Sequence, residues 1–112
     1  MKKAPITTHI LDLHRGKPAQ GVRVKLYFES HDEIVAEGKT DEDGRISEWS
    51  NKFDCAVGEW RLEFDIEAWS MDQKRELFFT TISLNFSVNN TSEHYHVPLL
   101  LNEFGYTTYR GS

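Results

Sequence analysis

The sequence predicts an all-β fold, a β-sandwich of two sheets with seven to eight short strands and one short helix. Apolar and polar residues alternate with a period of two along several segments of the 112-residue chain, as in half-buried strands. Clusters of glycine, proline and asparagine separate these segments at short intervals. The length fits a single domain over residues 1–112, of which we expect residues 1–4 to be flexible.

The first half of the chain predicts three strands joined by polar turns. Val22, Val24 and Leu26 alternate with charged residues, which is the pattern of a strand with one buried face. The turn before them contains a proline and two glycines. In order, this half predicts a strand at 6–13, a turn at 15–21, a strand at 22–28, a turn at 30–32, a weaker strand at 33–40 and an acidic turn at 41–44.

The second half predicts further strands and the helix. Trp60, Leu62 and Phe64 alternate with charged residues and indicate the clearest strand of the chain. Apolar residues then recur at helical spacing without glycine or proline, which predicts about three helical turns. In order, this half predicts a strand at 60–66, a helix at 67–77, a strand at 80–88, a turn at 89–93 and a strand at 94–101.

The composition excludes several classes of function. A net charge of -5 argues against binding to nucleic acid or to an anionic membrane surface, because both need a basic face. No apolar run approaches the ~20 residues of a membrane span. Cys55 is the only cysteine, so no intrachain disulfide can form. A reducing compartment fits this pattern, and we expect a cytoplasmic location.

Two further motifs are interpreted as structural. The acidic run at 41–44 ends in glycine, but it lacks the additional oxygen ligands at the spacing that a calcium loop needs. Cys55 follows Asp54, a neighbour that disfavours a reactive thiolate. We therefore predict a tight turn at 41–44 and a chemically passive cysteine.

Histidines near the end of the chain are the strongest sign of a functional site. His94 and His96 are two residues apart, so in a strand they share a face. With His9 they could supply the three imidazoles of a catalytic zinc site. Imidazoles also serve as acid and base groups in sites without metal. The spacing alone leaves both interpretations open.

Five runs of the sequence, in the same order along the chain, resemble the 5-hydroxyisourate hydrolases, the transthyretin-related enzymes of urate breakdown. The last run, Tyr109–Ser112, is the most specific, because the hormone carrier transthyretin lacks it. The five runs are residues 6–12, 16–24, 40–45, 94–101 and 109–112.

The resemblance implies a transthyretin-like β-sandwich that forms a homotetramer, a dimer of dimers with active sites between the dimers. It also implies the hydrolysis of 5-hydroxyisourate to 2-oxo-4-hydroxy-4-carboxy-5-ureidoimidazoline in purine catabolism. This ring opening uses neither a metal nor an organic cofactor in the family.

The resemblance further implies a set of site residues. His9 and His96 would activate water and relay its proton, and His9 would also contact the substrate. Arg45 would bind the substrate and stabilise negative charge on the carbonyl oxygen. In the tail, residues 109–112, Tyr109 and Arg110 would bind the substrate. The hydroxyl or carboxylate of Ser112 would have a catalytic role and close the site. His94 lies outside the family's usual catalytic set.

Two alternatives remain open at this point. A zinc hydrolase would use His9, His94 and His96 as ligands. A transthyretin-like carrier of small molecules would share the fold and perform no chemistry. The histidines and the last four residues argue against the carrier.

Overall fold

In a computed structural model that describes residues 4–29 and 33–112, two β-sheets enclose a hydrophobic core. The predicted turn at 30–32 and most of the predicted flexible segment at 1–4 lie outside the described residues. The strands are β1 Ile6–Asp12, β2 Lys17–Pro18, β3 Arg23–Phe28, β4 Glu33–Lys39, β5 Arg45–Ile46, β6 Gly58–Asp65, β7 Thr81–Val88, β8 Tyr95–Leu101 and β9 Tyr106–Thr108, and the helix α1 is Ile66–Asp72.

The first sheet has the strand order β2-β1-β8-β9, with β5 also paired to β1. The second sheet has the order β4-β3-β6-β7. The pairing of β1 with β8 is parallel, and the other pairings are antiparallel. The predicted sandwich of two sheets is therefore confirmed. The short strands β2 and β5 bring the count among the described residues above the predicted seven to eight; β2 formed inside the segment predicted as a turn.

The core lies between the inner faces of the two sheets. Trp60, Leu62 and Phe64 of β6 are each at most 1% exposed, as their alternation predicts. The indole N–H of Trp60 donates to the carbonyl of Ala56 at 2.9 Å, and that of Trp69 donates to the carbonyl of Gln20 at 3.0 Å. These large side chains therefore enter the core without leaving a buried donor unsatisfied.

The helix is shorter than the sequence predicts. It begins one residue earlier, where the Asp65 side chain accepts a hydrogen bond from the backbone N–H of Ala68, and it ends at Asp72 instead of residue 77. Lys74 adopts a positive φ of 55°, and the N–H of Arg75 returns to the carbonyl of Ser70 at 2.9 Å. This is a Schellman-type helix end. No helix of the described residues is long and apolar enough to cross a membrane.

The early helix end places Arg75 against the first sheet. Its guanidinium contacts the Asp12 carboxylate at 2.6 Å and the Glu103 carboxylate at 3.0 Å. Asp12, the last residue of β1, is 2% exposed. The hydrogen bond to Asp12 is the main cause that raises the pKa of Arg75, so the guanidinium remains charged. This ion pair joins the helix segment to β1 and to the β8–β9 turn.

Replacing Arg75 by glutamine should lower the free energy of unfolding by about 3 kcal/mol, because it leaves the buried Asp12 carboxylate without its cation. We place the loss at the low end because backbone N–H groups of His14 and Arg15 still contact Asp12. Urea unfolding at fixed protein concentration measures the effect. The exposed Arg23, changed to glutamine, is the matched control. Equal losses for both variants would contradict the special role of the buried pair.

Candidate active site

Strand register brings the predicted histidines and arginine to one face of the first sheet. Thr7 of β1 lies beside His96 of β8, and His9 lies beside Pro98. On the other edge of β1, His9 pairs with Arg45 of β5. Register partners point to the same side of a sheet, and the buried side chains of Ile6, Ile10 and Thr8 occupy the opposite side. His9, Arg45 and His96 therefore share the outer face of the first sheet.

A threonine that the sequence analysis did not single out connects the two histidines of the β8 region. The Thr7 hydroxyl oxygen lies 2.9 Å from His94 Nε2 and 2.7 Å from His96 Nδ1. The two imidazole rings stack with centroids 6.5 Å apart. The prediction that His94 and His96 face the same way is confirmed. Thr7 shares a face with His9 by simple alternation, but only the β1–β8 register shows that it lies beside His96.

The electrostatic surroundings of His9 favour its neutral form. Partial burial lowers the pKa of His9, and the positive charge of Arg45 lowers it further. The backbone of Asp43 and the charges of Asp41 and Asp43 oppose this shift without cancelling it. A histidine with a lowered pKa is neutral at pH 7 and can accept a proton. His9 thus has the protonation state of a general base.

The acidic turn at 41–44 positions Arg45. The Asp41 side chain accepts hydrogen bonds from the backbone N–H groups of Asp43 at 2.9 Å and Arg45 at 3.0 Å. Gly44 has a φ of 75°, and a Cβ there would lie 2.4 Å from the carbonyl oxygen of Ile10. The turn is pressed against β1, so Arg45 follows directly beside His9. The sequence-based prediction of a tight turn is confirmed.

The last residues of the chain pack beside His96. The backbone N–H of Gly111 donates to the carbonyl of His96 at 2.8 Å. A Cβ on Gly111 would lie 2.6 Å from His96 Cδ2 and 3.2 Å from Pro98 Cγ, so only glycine fits without displacing the ring. The β8–β9 register, continued to Gly111, sets Tyr109 across from Pro98 on the outer face. Tyr109 is 55% exposed there.

The other two tail residues differ in their surroundings. Arg110 lies over the Tyr95 ring at 4.4 Å, and its guanidinium donates to the Glu93 carboxylate at 3.2 Å and the His94 carbonyl at 3.3 Å. These contacts hold Arg110 against the start of β8 and the two residues before it. Ser112 is exposed next to Gly111.

The metal-binding alternative requires three ligands at one point. Within residues 4–29 and 33–112, no three histidine, cysteine, aspartate or glutamate side chains are grouped so that they could hold a metal ion. The nitrogens of His94 and His96 that face Thr7 are hydrogen-bonded to its hydroxyl.

Comparison with known proteins places this arrangement in a family. A model described as the HIUase/Transthyretin family matches residues 6–111. The 5-hydroxyisourate hydrolase of Salmonella dublin is 43% identical over 110 residues, which cover 96% of this chain and 80% of that protein. At this identity over nearly the whole chain, the two proteins share a common fold.

Solved structures agree with the sequence comparison. The structure of Klebsiella pneumoniae 5-hydroxyisourate hydrolase has a TM-score of 0.83 and 36% identity, and the match covers 96% of this chain and 98% of that chain. Sea bream transthyretin in complex with thyroxine has a TM-score of 0.86 and 29% identity, over 96% of this chain and 95% of that chain. The fold, the sequence match and the sandwich topology lead to one conclusion: this chain belongs to the HIUase/Transthyretin family.

Proposed function

We propose that this chain is an enzyme that hydrolyses 5-hydroxyisourate to 2-oxo-4-hydroxy-4-carboxy-5-ureidoimidazoline in purine catabolism. The observation that carries the proposal is the placement of His9, His96 and Arg45 on one outer face of the first sheet. The identity to hydrolases supports it, since it exceeds the identity to the transthyretin carrier. A carrier needs no arrangement of neutral imidazole beside guanidinium.

The reaction requires two proton transfers. Water attacks a ring carbonyl carbon and gives up a proton, the carbon–nitrogen bond breaks, and the departing nitrogen takes up a proton. His9 is suited to accept the first proton because burial and Arg45 lower its pKa. His96 lies on the same face and would share the proton work by relaying a proton to the leaving nitrogen. A well-placed acid–base group contributes roughly 10²- to 10⁴-fold to the rate.

Arg45 would supply the electrostatic part of catalysis. Its guanidinium is charged at all physiological pH values and offers several N–H donors in a plane. Negative charge grows on the carbonyl oxygen as water attacks, and a fixed donor stabilises that charge more in the transition state than in the substrate. The pairing of β5 with β1 keeps Arg45 beside His9, where the attacked carbonyl would lie.

The tail would complete the site. Tyr109 is on the outer face and would contact one edge of the substrate, while the Ser112 hydroxyl would close the site and donate a hydrogen bond. The sequence assigned Arg110 to substrate binding as well. Its contacts with Glu93 and Tyr95 support a different role, in which Arg110 anchors the tail so that Gly111 stays against His96.

We further propose that the protein is a homotetramer that encloses this face. Among the described residues, β7 and β9 each lie at one edge of a sheet, and an edge strand can pair with a second copy through its outward backbone groups. The outer face of the first sheet carries the half-exposed Leu11 and Leu100 around the site, and a facing dimer would cover them. Enclosure would exclude bulk water, leave room for the attacking molecule, and strengthen the electrostatic effect of Arg45.

We propose a cytoplasmic location for the enzyme. Cys55, the only cysteine, is half-buried, and burial raises the pKa of its thiol. A thiol with a raised pKa reacts slowly. A chain with one cysteine forms no intrachain disulfide, which fits a reducing compartment.

Changing Arg45 to alanine should lower kcat/KM for 5-hydroxyisourate about 100-fold or more, because it removes the group that stabilises the developing oxyanion. His96→Asn should also lower kcat/KM strongly. The measurement is the ultraviolet decay of substrate that urate oxidase generates in the same cuvette, with and without a chelator, and gel filtration checks the assembly. Arg23→Ala is the matched control. Wild-type decay rates in assembled Arg45→Ala would refute the assignment, and thyroxine binding without hydrolysis would favour the carrier.

The pH dependence of kcat/KM tests His9 as the base. Because burial and, to a smaller extent, the charge of Arg45 lower the pKa of His9, the acidic limb of the wild-type profile should lie below pH 6.5, the ordinary value for histidine. Arg45→Ala removes the charge and leaves the burial, so the pKa of His9 rises part of the way to its ordinary value and the limb should move to higher pH. Arg45→Lys keeps the positive charge and should leave the limb near its wild-type position. A limb that does not move in Arg45→Ala would exclude His9 as the titrating base.

Gly111→Ala tests the tail. The added Cβ would lie 2.6 Å from His96 Cδ2, so the imidazole must shift. A displacement of this kind can cost about 100-fold in rate, so we expect kcat/KM to fall at least tenfold with little change in thermal stability. Gly105→Ala is the matched control, because a Cβ there meets nothing within 4 Å. Full activity of Gly111→Ala would show that the position of His96 does not depend on the tail.

A further inference from the structure

We propose that Thr7 is a positioning residue whose hydroxyl fixes His96 in the Nδ1–H tautomer and couples its ring to that of His94. The inference rests on the proposed function in one respect, namely that His96 takes part in hydrolysis. Neither the family comparison nor the sequence pattern points to Thr7.

The geometry places one hydroxyl between two imidazoles. Thr7 Oγ1 lies 2.7 Å from His96 Nδ1 and 2.9 Å from His94 Nε2, both within ordinary hydrogen-bond range. Thr7 is 4% exposed, so its hydroxyl is held in place by the strands and is poorly accessible to water. The parallel register of β1 and β8 fixes Thr7 beside His96.

The count of protons on this hydroxyl limits the tautomers. A hydroxyl has one proton to donate and two lone pairs that accept. It can donate to only one of the two ring nitrogens, so at least one of these nitrogens must itself carry a proton and donate to Oγ1. The tautomers of His94 and His96 are therefore linked through Thr7.

Two hydrogen bonds that run in one direction, from His96 to Thr7 to His94, suit catalysis. In this arrangement His96 Nδ1–H donates to Thr7 Oγ1, and the Thr7 hydroxyl donates to His94 Nε2. The lone pair of His96 then lies on Nε2, the ring nitrogen that Thr7 does not contact. When Nε2 takes up a proton, Nδ1 keeps its own proton and the bond to Thr7 is unchanged. In the opposite direction Nδ1 accepts from Thr7, and protonation of His96 would force the hydroxyl to turn.

The surrounding packing supports the same orientation. Gly111 lies against the Cδ2 edge of the His96 ring, and Thr7 holds the opposite, Nδ1 edge. The ring is thus held from both sides, with its outer end on the face that also carries His9. A preorganised ring of this kind accepts or donates a proton without rearrangement. His94 acquires a supporting role as the acceptor that orients the Thr7 hydroxyl.

The test measures the tautomer directly, by ¹⁵N chemical shifts of the histidine rings in ¹⁵N-histidine-labelled protein at a pH where the rings are neutral. We expect His96 in the Nδ1–H form, opposite to the form that predominates in free histidine, and His94 unprotonated at Nε2. Thr7→Val, which removes the hydroxyl and keeps the shape, should return His96 toward the Nε2–H form and lower kcat/KM about tenfold or more.

Two further variants separate positioning from general destabilisation. Thr7→Ser keeps the hydroxyl and should retain both the Nδ1–H tautomer and most of the activity. Thr8→Val removes the hydroxyl of the next residue in β1, which lies on the inner face and donates to the carbonyl of Val97 in β8. This change should leave the His96 tautomer unaltered.

Each outcome decides one part of the inference. An Nε2–H tautomer for His96 in the wild type, or an unchanged tautomer in Thr7→Val, would overturn it. A changed tautomer with wild-type kcat/KM would overturn the catalytic consequence. Lack of hydrolysis by the wild-type protein would refute the proposed function instead, because the tautomer measurement does not depend on activity.

Discussion

The parallel pairing of β1 with β8 is the contact on which the candidate site depends. Seven consecutive residue pairs, from Ile6 with Tyr95 to Asp12 with Leu101, hold these two strands in register. The strands are far apart in sequence, so their pairing closes a long loop and is retained because both inner faces are buried in the core. A slip of one residue would turn the histidines into the core. Burial of the inner faces of β1 and β8 therefore also fixes the geometry of the outer face.

Features set by residues near each other in the sequence could be predicted, whereas features set by contacts between distant residues could not. The strand β6 could be predicted because Trp60, Leu62 and Phe64 alternate locally with charged residues. The end of α1 could not, because a lysine with positive φ ends the helix and Arg75 then pairs with Asp12, a residue distant in sequence. Tertiary contact decided this boundary against local helical spacing.

The same distinction holds for the site. His9, Arg45 and His96 were expected from motifs that lie along the chain, and the strand register places them on one face. Thr7 carries no motif, and its link to His94 and His96 exists only because β1 and β8 pair in parallel. The contacts of Arg110 could not be predicted either. Alternation along the tail indicates which face of the sheet its side chain is on, but not that it packs against Tyr95.

The two histidines of the site are controlled by different physical means. Burial and a neighbouring positive charge adjust the proton affinity of His9, whereas hydrogen bonding and packing fix the ring of His96. Separate controls matter for a reaction in which one imidazole takes a proton from water while the other takes up a proton and passes it on. Two identical environments would give both groups the same preferred state. The fold separates them by placing one beside a charged turn and the other between a threonine and a glycine, while residues such as Ile10 of β1 and Leu99 of β8 pack in the core on the opposite face. Substitutions on the outer face can therefore change the chemistry without disturbing the packing that holds the two strands together.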